Sequence, residues 1–155
     1  MDDDHWMDEA LKEAERAYRG GEVPVGAVVV IGDRVVGRGH NQIESLKDPT
    51  AHAEMIAITA ACGYKNDWRL DDATMYVTLE PCLMCGGAII LSRLKRLVYG
   101  ASDPRMGCCG SMYEILGEKG QGAGVEVVGG VREEECKSLI QTFFKERRTE
   151  VEKKR

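Results

Sequence analysis

The chain is expected to be an α/β protein: a three-layer α/β/α sandwich around a mixed five-stranded sheet. Three observations predict this. Apolar helices alternate with apolar strands along the 155 residues, the pattern of helices covering both faces of a largely parallel sheet. The stretch 25–39 carries two β runs split by a short turn, so part of the sheet is antiparallel. The two central helical segments, 52–62 and 82–94, are apolar nearly all round, which predicts burial against the sheet.

The elements follow in order. Residues 6–19 place Trp6, Ala10, Leu11, Ala14, Ala17 and Tyr18 at helical spacing, and Gly20-Gly21 stops the helix. A hairpin comes next: Val25–Ile31, a Gly32-Asp33 turn, then Val35–Gly39. "HAEMIAITAAC" (52–62) is an Ala-rich helix ended by Gly63. "ATMYVTL" (73–79) is a β-branched and aromatic strand, and "CLMCGGAIILSRL" (82–94) a second apolar helix. "RLVYGAS" (96–102) and "VEVVGGV" (125–131) are strands. Residues 132–148 form a closing helix with Cys136, Leu139, Ile140, Phe143 and Phe144 on one face. No repeat, linker or domain boundary interrupts this order, so residues 1–155 are expected to form a single domain.

Composition narrows the class. The apolar fraction of 43% and charged fraction of 30% are those of an ordinary globular domain. No apolar run approaches the roughly 20 residues of a membrane span. The start "MDDDHWMDEA" is acidic, unlike a secretory or mitochondrial leader, so the expected location is cytoplasmic. Six cysteines in such a setting are expected to be reduced thiols or metal ligands rather than a disulfide framework. Net charge is −5, yet the tail 145–155 holds six basic and three acidic residues. A basic tail on an acidic body is either a polyanion contact or a solvated end of a helix.

The chemistry concentrates in "EPCLMCGGA" (80–88). Cys82-x-x-Cys85 has three readings: a thioredoxin-like redox pair at a helix start, two inert core thiols, or two metal ligands sharing one helix face. Cys108-Cys109 would complete a four-cysteine site. Adjacent side chains diverge, however, and structural ligands are usually spaced two to four apart. Cys108 and Cys109 are therefore expected to be small loop fillers between Gly107 and Gly110, and Cys62 and Cys136 to be core residues. His5 lies in the charged leader and is expected to be solvated. His40 ends a strand and suits a pocket or the surface. His52 opens the first central helix after Pro49, with Glu54 two residues on. His-x-Glu at one helix start and Pro-Cys-x-x-Cys at the next is far more specific than either alone. His52, Cys82 and Cys85 make three protein ligands, which leaves a fourth zinc position open for water. Glu54 beside them can then move that water's proton. A purely structural zinc would have no use for it.

This pattern resembles the signature of the zinc-dependent nucleobase deaminases. The resemblance extends to "GEVPVGAVVV", "GHNQIESLKDPTAHAEM", "MYVTLEPCLMCGGAIILSRLKRLVYGASDPRMGCCGS" and "FFKERR". From about residue 6 to 150 the chain is similar to the bacterial tRNA-specific adenosine deaminase family. The resemblance implies a cytidine deaminase-like fold, one Zn2+ per subunit, a homodimer, and conversion of the wobble adenosine of a tRNA anticodon to inosine. By motif position it implies zinc binding by His52, Cys82 and Cys85 and a proton-shuttle role for Glu54. It implies contacts to the flipped nucleotide from Asn41 and the Ala53 backbone, with Val23 lining the pocket. Asp103 would sit near the target strand's backbone, and Phe144 with the basic residues after it would hold the anticodon stem-loop. The chain departs from the family's usual Gly-Ala-x-Gly-Ser at Gly107-Cys108-Cys109-Gly110-Ser111, and Ser102, Pro104 and Met106 also differ. Those changes bear on substrate choice, which leaves a deaminase of a free base, nucleoside or nucleotide of guanine or cytidine type as the other reading. A non-catalytic subunit of a heteromeric deaminase would leave Glu54 without a role.

Overall fold

In a computed structural model, residues 1–117 and 124–154 are described. The chain runs α1 (Asp3–Arg19), β1 (Gly26–Ile31), β2 (Arg34–His40), α2 (Ile43–Leu46), α3 (Ala53–Lys65), β3 (Ala73–Leu79), α4 (Leu83–Leu91), β4 (Arg96–Ala101), β5 (Glu126–Val128) and α5 (Glu133–Lys153). The sheet has five strands in the order β2-β1-β3-β4-β5. β1 pairs antiparallel with both β2 and β3, and β3–β4 and β4–β5 are parallel. This is the mixed three-layer sandwich the sequence predicts.

Strand side chains alternate between two cores, as the pleat requires. Ala27, Val29, Met75, Val77 and Leu97 face α3 and α4 with Ala53, Ala57 and Ile89. Val28, Val30, Tyr76 and Val98 face the other way, against Trp6, Met7, Ala10 and Leu11 of α1 and Cys136 of α5.

Close backbone approach fixes α3. Gly37 and Gly39 of β2 lie directly under it, where a Cβ would come within 2.4 Å of the Ala57 carbonyl oxygen and 2.3 Å of that of Ala53. Only glycine lets strand and helix meet so closely. The contact at Ala53 holds the first turn of α3, where His52 sits.

Several boundaries move. The acidic leader belongs to α1: Asp2 caps it by accepting the His5 N–H at 3.0 Å, and Asp3 and Asp4 form its first turn, where the helix dipole favours carboxylates. His5 itself is exposed. α3 runs through Gly63 and stops at Asn66, which takes the left-handed conformation at φ 56°. α4 ends at Leu91, earlier than expected, before Arg93 at φ 61°. β5 is three residues long, and α5 extends to Lys153. The one-turn α2 has no periodicity by which to predict it.

The central helices pack against the sheet as expected, each through one face only. α3 buries only Ala53, Glu54, Ala57 and Ala61, and α4 only Cys85, Gly86 and Ile89. Leu83 and Leu91 of α4 are 40% and 71% exposed. The sheet covers one face of each helix, and no further layer covers the other among the described residues.

Candidate metal and substrate site

The site forms where two chain segments leave the sheet. His52 is the N-cap residue of α3 and Cys82 that of α4, both in extended conformation, and neither side chain caps its own helix. Freed from that task, both can face a common point. Cys85, one turn into α4, joins them, as side chains three apart share a helix face. His52 Nδ1 lies 3.6 Å from Cys82 Sγ and 3.5 Å from Cys85 Sγ, and the three donor atoms all lie within 4.8 Å of one another. This is the group of three or more metal-capable donors found among the described residues.

These distances test whether zinc fits. With Zn–S near 2.3 Å and Zn–N near 2.05 Å, a tetrahedral centre separates N from S by about 3.6 Å. The observed spacings match that edge. One imidazole and two thiols are also a donor set that suits zinc. The electrostatics agree. Both sulfurs belong to the N-terminal turn of α4, where the helix dipole favours thiolate. The Cys85 thiol donates to Cys82, and His52 also faces it, so Cys82 is pushed down to about 4. The same contact pushes Cys85 up, and Cys82 raises His52.

Glu54 stands in the first turn of α3 at 4% exposure. Burial pushes its carboxyl up to about 7, with the neighbouring Cys82 adding in the same direction. A buried carboxyl in the first turn of α3 is a candidate to carry a proton.

Asn41 lies at the end of β2 and is 8% exposed. Its Oδ1 accepts the Ala53 N–H at 2.9 Å, and its Nδ2 donates to the Val23 carbonyl at 3.2 Å. Asn41 therefore caps α3 in place of His52 and ties the helix start to the 20–25 turn. One Nδ2 hydrogen and one Oδ1 lone pair remain for another partner. The Ala53 N–H is already committed to Asn41.

Two clefts meet at Val23, and neither is lined by His52, Glu54, Cys82 or Cys85. One, of about 260 Å³, is lined by residues including Glu22, Val23, Asn41, Phe144 and Arg147. The other, of about 460 Å³, is lined by residues including Val23, Ser102, Asp103, Met106 and Phe144. Val23 and Phe144 wall both, so the fold brings together Val23, Asn41, Asp103 and Phe144 from four separate chain segments. Phe144 is 42% exposed, turned out of the core that Phe143 enters. Arg147 stacks 4.9 Å over Phe143 and donates to the Gly21 carbonyl, so this tail residue pins α5 to the cleft rim. Arg155, the last basic residue of the tail, lies outside the described residues.

Other residues fall elsewhere. His40 Nδ1 lies 3.6 Å from Glu13 Oε1, on the α1 side of the sheet. Cys108 is fully buried, with its Sγ where a Cβ on Gly86 would stand, and Cys109 is partly buried beside it. Cys136 is buried in the second core, and Cys62 is half-buried near the Trp68 carbonyl. Glu22 and Glu80 are buried carboxylates that periodicity in the sequence does not single out. Glu22 accepts the Glu44 and Ser45 amides at 3.0 and 2.8 Å, and so caps α2. Glu80 takes donors from the 103–111 loop. A Glu directly before Pro-Cys-x-x-Cys was the one available hint.

Comparison with known proteins agrees with this geometry. The MafB19-like deaminase family matches residues 1–148. A chain solved with 8-azaguanine superposes at TM-score 0.80 over 92% of this chain and 84% of its own, and at 21% identity it attests the fold alone. Fold and site thus define a deaminase domain of the cytidine deaminase-like class. The tRNA-specific adenosine deaminase of Bacillus subtilis (strain 168) is 49% identical over 146 residues, 94% of this chain and 91% of that protein. A chain from a structural study of A-to-I editing by tRNA:A34 deaminases is 43% identical at TM-score 0.77, covering 81% of this chain and 97% of its own. The chain belongs to the tRNA-specific adenosine deaminase family.

Proposed function

We propose that this chain deaminates adenosine to inosine at the wobble position of tRNA anticodons, by hydrolysis with release of ammonia. The observation that carries this reading is the convergence of His52 Nδ1, Cys82 Sγ, Cys85 Sγ and buried Glu54 in a chain so similar to tRNA-specific adenosine deaminases.

His52, Cys82 and Cys85 would hold one zinc ion per subunit. Zinc held there would supply Lewis-acid chemistry and make a hydroxide-like nucleophile available near neutral pH. The remaining work falls to the chain's own groups. The adenine leaves its stack and enters beside Asn41, whose spare hydrogen-bonding capacity orients it. Val23 packs on the nucleotide and excludes water. Water adds at C6 while Glu54 takes its proton and passes it to N1. Glu54 then moves the second proton to the departing amine, so that adenosine and water become inosine and ammonia. Asp103 and Phe144 line the walls along which the anticodon strand runs, and the basic residues beyond Phe144 meet its phosphates.

The exposed apolar side of α3 and α4 supports a homodimer. Residues 1–155 act as one catalytic domain in the cytoplasm, and no helix among the described residues is long and apolar enough to cross a membrane. Incubation of the purified protein with total tRNA, followed by sequencing of anticodons, tests the activity. Inosine at the wobble position is expected. Deamination of free guanine or cytidine, with none of an anticodon stem-loop, would transfer the site to a small-molecule substrate.

A further inference from the structure

Glu80 follows the last residue of β3 and stands two residues before Cys82. It is 2% exposed, and its described partners are all donors from one loop. Oε1 accepts the Asp103 N–H at 3.0 Å and the Ser111 hydroxyl. Oε2 accepts the N–H groups of Cys109 at 2.8 Å and Ser111 at 3.3 Å. The next carbonyl, that of Pro81, accepts the Cys108 N–H at 2.9 Å. The loop lies directly on the carboxyl: a Cβ on Gly107 would meet Glu80 Cδ at 2.3 Å. Asp103 is spent within the same loop, since its Oδ1 accepts the Arg105 and Met106 amides at 3.0 and 3.3 Å.

The loop is also the wall of the larger cleft. Ser102, Pro104, Arg105 and Met106 line it opposite Val23 and Phe144. A buried carboxylate with several donors is rigid and costly to loosen, because every donor left behind is buried without a partner. Glu80 thereby couples the cleft wall to the metal-ligand turn through one side chain.

We infer that Glu80 is a positioning residue for RNA: it holds the 103–111 loop in register with the Cys82 turn, and so sets the width of the cleft that receives the anticodon strand. It touches neither the reacting atoms nor the metal donors. The inference rests on the proposed activity toward an anticodon stem-loop. In Glu80→Gln one oxygen becomes an amide nitrogen that faces N–H donors, so the loop loosens while the carbonyl end still holds. Gly107→Ala lifts the loop from the other side and leaves the carboxylate intact.

The test measures stem-loop binding by fluorescence anisotropy, steady-state kinetics on the same stem-loop, zinc content, and amide hydrogen exchange over 103–111. Both variants are expected to keep stoichiometric zinc and near-normal kcat, to raise KM and Kd about tenfold, and to exchange faster in the loop, the pattern of lost uniform binding. The double variant is expected to be no worse than either single one, because both break one contact. Wild-type Kd and KM in the two variants would overturn the inference, as would joint loss of zinc and kcat. A wild-type protein that neither binds nor deaminates the stem-loop would instead overturn the proposed function, and this inference with it.

Discussion

His52 Nδ1 and Cys85 Sγ lie 3.5 Å apart although 33 residues separate them in the chain. They meet because α3 and α4 both begin at the same end of the sheet. Removing either donor leaves two ligands, too few for tight zinc. His52→Ala and Cys85→Ala are each expected to weaken zinc binding by more than about 100-fold, since loss of even an outer-shell partner costs 10- to 100-fold. Metal analysis after dialysis against a mild chelator reads this directly, and a variant that kept its full zinc would remove that residue from the ligand set.

Glu54 should matter to turnover and not to metal. Glu54→Gln keeps the shape and loses the proton acceptor, so a fall in rate of about 10²- to 10⁴-fold is expected, the usual share of general acid–base catalysis. Single-turnover inosine formation with zinc content measured in parallel separates the two effects. Near-normal turnover with zinc bound would eliminate Glu54 as the shuttle.

Asn41 holds two segments at once. In Asn41→Ala the Ala53 N–H and the Val23 carbonyl both lose their partner. A buried donor left unpaired costs about 1–3 kcal/mol. Urea unfolding should register that loss, with inosine formation falling as well because α3 is no longer anchored at its start. An unchanged urea midpoint would show that solvent replaces the amide.

Acid should attack a different place. Asp3 receives two hydrogen bonds from Arg96, at 2.7 and 2.8 Å, and one from the Tyr76 hydroxyl at 2.9 Å. The Arg96 guanidinium holds its carboxyl below the usual 3.8, against the opposing effect of burial. A depressed carboxyl stabilises the fold fully above its unfolded pKa, and the contribution fades as pH falls through the lower folded value. The loss therefore lies below about pH 3.9. Asp3 keeps 31% of its side chain exposed, so up to about 1 kcal/mol is at stake. Asp3→Asn should be less stable than the parent at neutral pH and converge with it toward pH 2 in urea titrations. A constant gap across that range would assign the effect to packing.

The bare side of α4 predicts assembly. Leu83 and Leu91 are 40% and 71% exposed on the same short helix, an apolar face that a second copy could cover. Light scattering should give twice the 17.1 kDa chain mass, and Leu91→Lys should shift the protein toward the monomer. A monomeric parent at micromolar concentration would dispose of the proposed dimer.

Much of the fold was legible in the sequence because strand and helix periodicity is local. The span 73–79 is β3 to the residue, and no end of the hairpin strands is off by more than one. Helix ends were less legible. Gly63 looks like a stop signal, yet tertiary contacts of α3 carry the helix past it to Asn66. Leu83 and Leu91 look like core residues because apolarity does not say whether a second layer exists. The His52, Cys82 and Cys85 cluster was legible because few residue types suit zinc and their spacing to helix starts is short-range.

The sequence by itself determined the order of elements, the grouping of His52, Cys82 and Cys85 as metal-capable donors, and the separation of Cys108-Cys109 from that group. Only the tertiary structure decided that Nδ1 is the nitrogen His52 presents, that Asn41 caps α3, and that Glu80 carries the 103–111 loop. The physical reason is the same in each case. A hydrogen-bond partner is chosen by what the fold brings within about 3 Å, and for a buried polar side chain that partner sits on a segment with which it shares no local pattern.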